Sequence, residues 1–244
     1  MNAIVRDPLF RLIAKEVDGD IDVFAVEHRP SLFDQALLVL SVEERKRAHA
    51  YLHDDDRIGF ALTRSALRNL IGGQTGASPA EVAIEQSADS APRLSGRAKC
   101  VDLNFSVSRS HGLSLIAVSN SNRSIGIDLE FRRNVPDACD IASKLFGLDI
   151  AETLAAKPES VRCDAFLALW TAGEALTKAR GIGLSDWVGP IPIAFEDGQI
   201  AVRSDAGKKW RIQPIKTPDR WIASLAFEQR TEGAFDQGNS WSNG

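Results

Sequence analysis

Residues 125–130 read Ile-Gly-Ile-Asp-Leu-Glu, and this run narrows the possible folds more than any other stretch of the chain. It follows a polar break at Ser121–Ser124 and alternates strictly at its end, which predicts a β-strand. Successive side chains on a strand point to opposite faces, so Ile127 and Leu129 go to one side and Asp128 and Glu130 to the other. Carboxylates held together repel and favour a cation between them. Oxygen ligands in this number suit Mg²⁺, which keeps waters and shares substrate phosphates. A strand with a solvated polar face gives the same pattern. Gly126 leaves room for another element to come close.

Around this strand the chain alternates between the two periodicities. Ile21–Val26 reads as a strand. Ser41-Val-Glu-Glu44 is a capping box that opens a helix running to about His53. Asp54–Asp56 opens a second helix, with acids at its positive end and a predicted stop at Gly72-Gly73. Val82–Gln86, Leu103–Val107 and Leu113–Ser119 are strand candidates, and Asp140–Phe146 is a short helix. Pro158 starts a long helix that reaches Arg180 and stops at Gly181. Ile191–Phe195, Ile200–Arg203, Lys209–Ile215 and Trp221–Phe227 read as strands, and the tail from Thr231 is polar and loose. The expected class is α+β, in units of residues 1–122 and 123–230 with a tail over 231–244.

The bulk numbers exclude more than they assign. The chain has 244 residues and a net charge of −4, so no global basic field exists to hold nucleic acid or an anionic membrane. Its single tyrosine leaves little for base stacking. Trp170, Trp187, Trp210 and Trp221 read as core or cleft walls. The three cysteines, Cys100, Cys139 and Cys163, lack metal or disulfide spacing, which implies a reduced cytoplasmic protein. There is no signal peptide pattern and no run long enough to span a bilayer.

A second constellation lies on the long helix. Trp170, Glu174 and Lys178 are spaced i, i+4, i+8 and fall close to one face. Glu174 and Lys178 form either an exposed helix ion pair or, functionally, a metal ligand and a phosphate contact. A two-carboxylate hydrolase using Asp128 and Glu174 would need a histidine or nucleophile motif, and none stands beside them.

Taken in order, these pieces resemble the surfactin-type 4'-phosphopantetheinyl transferases. The resemblance rests on Ile125-Gly-Ile-Asp-Leu-Glu130, Trp170-Thr-Ala-Gly-Glu-Ala-Leu-Thr-Lys178 and Gly181-Ile-Gly-Leu184. Leu145-Phe146, Leu103–Ser108 with Gly112-Leu113, Ala61–Leu70 with Arg64 and Arg68, and Ala91-Pro-Arg-Leu94 add support. The likeness implies two similar α+β subdomains in a pseudo-twofold monomer, with coenzyme A in the cleft between them. It implies transfer of 4'-phosphopantetheine to a serine of an acyl or peptidyl carrier protein, with Asp128, Glu130 and Glu174 on Mg²⁺. Asp128, Glu174 and Lys178 would be catalytic, with Glu174 or water on the metal taking the serine proton. Arg64, Arg93, Ser108, Arg109, His111 and Lys178 would bind substrate. Phe146, Leu148 and Ile150 are the segment nominated to meet the carrier protein.

The departures concentrate on positive charge. The family's histidine after the Phe-x-x-Ser strand falls on Arg109, which can grip a 3'-phosphate in bidentate fashion. His111, two residues on, would share that side if the strand continued. A lysine is replaced by Ala91, an arginine by Asp55, and the lysine before the metal-binding glutamate by Gly173. Two accounts follow: a divergent transferase that recovers the charge through Arg64, Arg93, Arg97 and Arg109, or a relative that binds coenzyme A or a carrier protein without transfer.

Overall fold

The computed structural model describes residues 7–15, 19–85, 92–95, 102–183, 187–196, 198–203 and 208–230. Gln86, Ala91, Arg97, Cys100, Leu184 and the tail from Thr231, all singled out above, lie outside these residues. In chain order the elements are β1 (Arg11–Lys15), β2 (Ile21–Glu27), α1 (Phe33–Leu37), α2 (Val42–Ala50), α3 (Asp54–Thr75), β3 (Ile84–Glu85), β4 (Arg93–Leu94), β5 (Asn104–Ser110), β6 (Leu113–Ser119) and β7 (Ile125–Phe131). Then follow α4 (Ala138–Phe146), α5 (Leu148–Ala155), α6 (Glu159–Arg180), β8 (Ile193–Glu196), β9 (Gln199–Val202), β10 (Trp210–Pro214) and β11 (Trp221–Glu228). The class is α+β, as expected from the sequence.

Two antiparallel sheets carry the architecture, in strand orders β1-β2-β6-β5 and β10-β11-β7. Alternation along β2 and β6 supplies both faces of the first sheet. Phe24, Val26, Ile116 and Val118 pack under α3, while Ile21, Val23, Ala25, Leu113, Leu115 and Ala117 face inward. Ile125, Ile127 and Leu129 of β7, with Leu225 and Phe227 of β11, meet that inward face in one shared cluster. A third cluster packs α4, α5 and α6 with β8 and β10.

The sheets join along β5 and β7 through side chains. The backbone N–H groups of Ile127, Leu129 and Phe131 donate to the hydroxyls of Ser106, Ser108 and Ser110 at 3.0, 3.2 and 3.0 Å. The period-two run Ser-Val-Ser-Arg-Ser thus satisfies three donors of an edge strand.

The structure corrects several expectations. The capping box at Ser41 and Glu44 is present, but α2 ends at Ala50, short of His53. The Gly72-Gly73 pair does not end α3, which continues to Thr75 with Gly76 left-handed after it. The returning chain explains the small residue at 72, where a Cβ would stand 2.7 Å from the Ala77 carbonyl oxygen. Pro158 precedes α6 as its cap, one residue before the first helical position, and Gly181 ends that helix at φ 70°. The segment nominated to meet a carrier protein is mostly core: Phe146 and Ile150 are 1% and 3% exposed, whereas Leu148 is 71% exposed. It opens α5, which was not expected from the sequence, and α5 folds its apolar side under α6. No described helix is long and apolar enough to cross a membrane.

Candidate active site

Gly126 sets the approach of α6 to β7. A Cβ there would overlap the Ala175 carbonyl oxygen and lie 2.5 Å from the Ala179 nitrogen and 2.9 Å from the Lys178 Cβ. With only hydrogen at that position the helix lies against the strand, and Lys178 reaches Asp128. The Lys178 ammonium donates to Asp128 Oδ1 at 2.6 Å and to the Ile127 carbonyl at 3.3 Å. Ser108 Oγ donates to the same Oδ1 at 2.9 Å. Asp128 is 5% exposed, and its Oδ2 is buried without a hydrogen-bond partner among the described residues.

The other two acids flank this centre. Glu130 accepts from Arg133 Nη1 at 2.6 Å. The Glu174 carboxyl is held above its usual range, chiefly by burial, with the charges of Asp128 and Glu130 adding to the rise and Lys178 opposing it. Glu174 therefore senses the other two acids. Among the described residues, however, no three acidic, histidine or cysteine side chains are gathered closely enough to hold a metal ion. Lys178 and Arg133 serve as counter-charges to Asp128 and Glu130, which balances the repulsion that drawing the acids together would require a cation to offset. The donor set itself suits a hard divalent cation, since Asp128 presents a buried oxygen without a partner among the described residues.

Beside Ser108 lies a basic pocket of about 120 Å³, lined by Arg47, Phe60, Arg64, Pro92, Ser108 and Arg109. The guanidinium groups of Arg47, Arg64 and Arg109 lie 5.3, 5.5 and 5.6 Å from the Phe60 ring centre. Arg109 also donates to the Tyr51 hydroxyl at 3.4 Å. The Arg64 pKa is pushed down to about 10 by burial, with Glu44 opposing and Arg47, Arg68 and Arg109 adding to the depression. Its neighbour Arg68 is occupied by Glu44 at 2.8 Å and by the carbonyls of Pro79 and Val82 at 2.9 and 2.8 Å, a structural role.

The remaining expected residues separate from this pocket. Arg93 lines a cavity of about 510 Å³ with Lys178, Arg180 and Phe105, and Pro92 borders both spaces. His111 does not continue the strand beside Arg109. It is the first residue of a two-residue hairpin turn with φ 44°, followed by Gly112 at φ 82°, the pattern of a type I′ turn. Its ring stacks on Phe131 at 4.7 Å, and it borders a different cavity with His28, Asp55 and Asp56. Position 173, where the family's lysine was expected, is buried against the core: a Cβ there would meet the Phe146 ring at 2.9 Å. Sequence reading missed Arg47 and Tyr51. Their i, i+4 spacing at the end of α2 was the available signal, because it lets both reach one side.

With this geometry in hand, the comparisons are specific. A sequence profile described as the 4'-phosphopantetheinyl transferase superfamily matches residues 124–226. The chain is 31% identical over 187 residues to the 4'-phosphopantetheinyl transferase HetI of Nostoc sp., across 77% of this chain and 78% of that protein. It is also 31% identical over 181 residues to the Synechocystis sp. protein named "Putative 4'-phosphopantetheinyl transferase slr0495", across 72% and 73% respectively.

Proposed function

This chain belongs to the 4'-phosphopantetheinyl transferases and is an enzyme of that family, and on that premise we propose that it moves 4'-phosphopantetheine from coenzyme A to a serine of an acyl or peptidyl carrier protein with Mg²⁺. The observation that carries this reading is the junction at Ser108. Ser108 borders the three-arginine pocket, and its hydroxyl, turned toward β7, donates to the carboxylate that Lys178 also holds. One anionic ligand with two separated phosphate groups matches that layout.

In this reading Arg47, Arg64 and Arg109 hold the 3'-phosphate of coenzyme A, where guanidinium groups favour planar, paired contacts. The pyrophosphate extends past Ser108 toward Lys178, with Arg93 and Lys178 lining the cavity beyond. Asp128, Glu130 and Glu174, which the structure does not draw to ligand distance of one another, would close on Mg²⁺ arriving with the pyrophosphate, and the ion would supply charge neutralisation there. The carrier serine oxygen attacks the β-phosphorus as its proton passes to Glu174. A new oxygen–phosphorus bond forms, the bond to the bridging oxygen breaks, and 3',5'-ADP leaves. A carboxylate that coordinates a metal is a poor base, so water on the ion is the other candidate to take this proton. Lys178 neutralises charge that builds on the phosphoryl oxygens.

The finer assignment is a surfactin-type monomer acting in the cytoplasm, with halves of residues 1–122 and 123–230 and the substrate in the cleft between them. It is supported by α3 and α6, each of 22 residues and each laid on its own antiparallel sheet. The basic residues missing by comparison with the family are offset by Arg47 and Arg109 in this reading. Incubation of an apo carrier protein with the enzyme, coenzyme A and Mg²⁺ should add the mass of one phosphopantetheine per carrier. A thermal shift with coenzyme A and no added mass would mean binding without transfer, and would overturn the proposal.

A further inference from the structure

We infer that Ser108 is a positioning residue that fixes which oxygen of Asp128 is left for a cation. A hydroxyl has one proton to give. Ser108 Oγ accepts the Leu129 N–H at 3.2 Å, so its own proton is free to go to Asp128 Oδ1 at 2.9 Å. Lys178 donates to the same oxygen at 2.6 Å. Both donors therefore converge on Oδ1, and Oδ2 stays buried and without a partner among the described residues. The carboxylate plane is set by these two contacts, one from each sheet-and-helix half of the molecule.

The serine ladder isolates this role. Ser106 and Ser110 accept the Ile127 and Phe131 N–H groups in the same manner, so all three serines contribute to joining the sheets. Of the three, only Ser108 also donates to a carboxylate among the described residues. It is buried, and it lines the arginine pocket as well. The register between β5 and β7 thereby ties the orientation of Asp128 to the wall of the anion pocket. Hydrogen-bond partners behind a metal ligand typically change metal affinity or activity by roughly 10–100-fold.

The activity arm of the test rests on the transferase reading, whereas the binding arm does not. Mn²⁺ alone is titrated into the purified protein, and free Mn²⁺ is followed by electron paramagnetic resonance. Ser108→Ala should weaken Mn²⁺ binding roughly 10-fold or more and lower kcat for transfer by a similar factor, with KM for coenzyme A little changed. Ser108→Thr should restore both. Ser106→Ala should leave both at wild-type levels. Ser108→Cys, which keeps the size but donates weakly, serves if the alanine variant does not fold. Wild-type Mn²⁺ affinity and kcat in the alanine or cysteine variant overturn the inference. So does a rise in KM with kcat unchanged, which assigns Ser108 to substrate contact, or an equal loss in Ser106→Ala, which assigns the effect to sheet pairing. Loss of Mn²⁺ binding in Ser108→Ala from a protein that transfers nothing upholds the positioning role and sinks the transferase reading alone.

Discussion

Helices α3 and α6 are equal in length and lie on comparable sheets, yet they treat buried charge in opposite ways. On α3 the charges are cations. Arg68 is paired with Glu44 and three backbone carbonyls, and Arg64 shares that glutamate while Arg47 and Arg109 crowd it. On α6 the key charge is an anion. Glu174 is partly buried, makes no side-chain hydrogen bond or ion pair among the described residues, and faces Asp128 and Glu130. One region holds surplus positive charge and the other surplus negative charge, and the two meet at Ser108. The net charge of −4 conceals this segregation. Segregated charge of this kind costs stability and suits a ligand that brings phosphate to one side and a cation to the other.

The contrast breaks most visibly at Glu174. Glu174→Ala should lower transfer by about 1000-fold, beyond the 10–100-fold typical of groups behind a ligand. The melting temperature should hold or rise, because a desolvated carboxylate is removed and no hydrogen bond is lost. Transfer by mass spectrometry and melting by calorimetry check the two halves of that statement. Undiminished transfer would remove Glu174 from the mechanism.

Arg68 should behave in reverse. Arg68→Met leaves the carbonyls of Pro79 and Val82 without a donor and Glu44 with Arg64 as its remaining ion-pair partner. Breaking a buried pair from one side costs about 3–5 kcal/mol. At this chain length that is a fall in melting temperature of roughly 6–20 °C. Catalysis at low temperature should change little. A stable but inactive Arg68→Met would mean that the α3 charges serve the ligand directly and that the comparison is wrongly drawn.

Much of this was legible in the sequence because the signals were local. The Ser41–Glu44 box, the limits of β6, the start of β7 and the stop of α6 at Gly181 all follow from patterns a few residues long. The sharing of a face by Asp128 and Glu130 follows from period-two alternation. What escaped depends on packing across the chain. Three arginines from α2, α3 and β5 surround Phe60, and no local rule joins them. Gly173 looked like a lost functional lysine, but any side chain there would run into Phe146 at the end of α4. His111 was placed beside Arg109 on the condition that the strand continued; the strand ends at Ser110, and His111 takes the first position of the hairpin turn instead.

The smallest effect sharpens the comparison through pH. His28 Nε2 shares a hydrogen bond with Ser114 Oγ at 2.7 Å, and Ser114 in turn meets Thr63 of α3 at 2.7 Å. Burial and then the Arg109 charge push the His28 pKa down to about 4, while Asp55 and Asp56 pull the other way. The unfolded chain takes up this proton near the ordinary imidazole value of 6.5 and the folded chain only near 4. Stability from this residue is therefore complete above pH 6.5 and is lost as pH falls from 6.5 toward 4, by at most about 3 kcal/mol. Glu174 has the opposite sign: its folded pKa is raised above 4.5, so its burial penalty grows as pH rises through that region. Denaturant melts of the metal-free protein from pH 7 to pH 4 separate the two. His28→Asn should flatten the acid-side loss and Glu174→Gln should steepen it. A His28→Asn protein with the same pH slope as wild type would mean that α3 carries no acid-sensitive contact at this position.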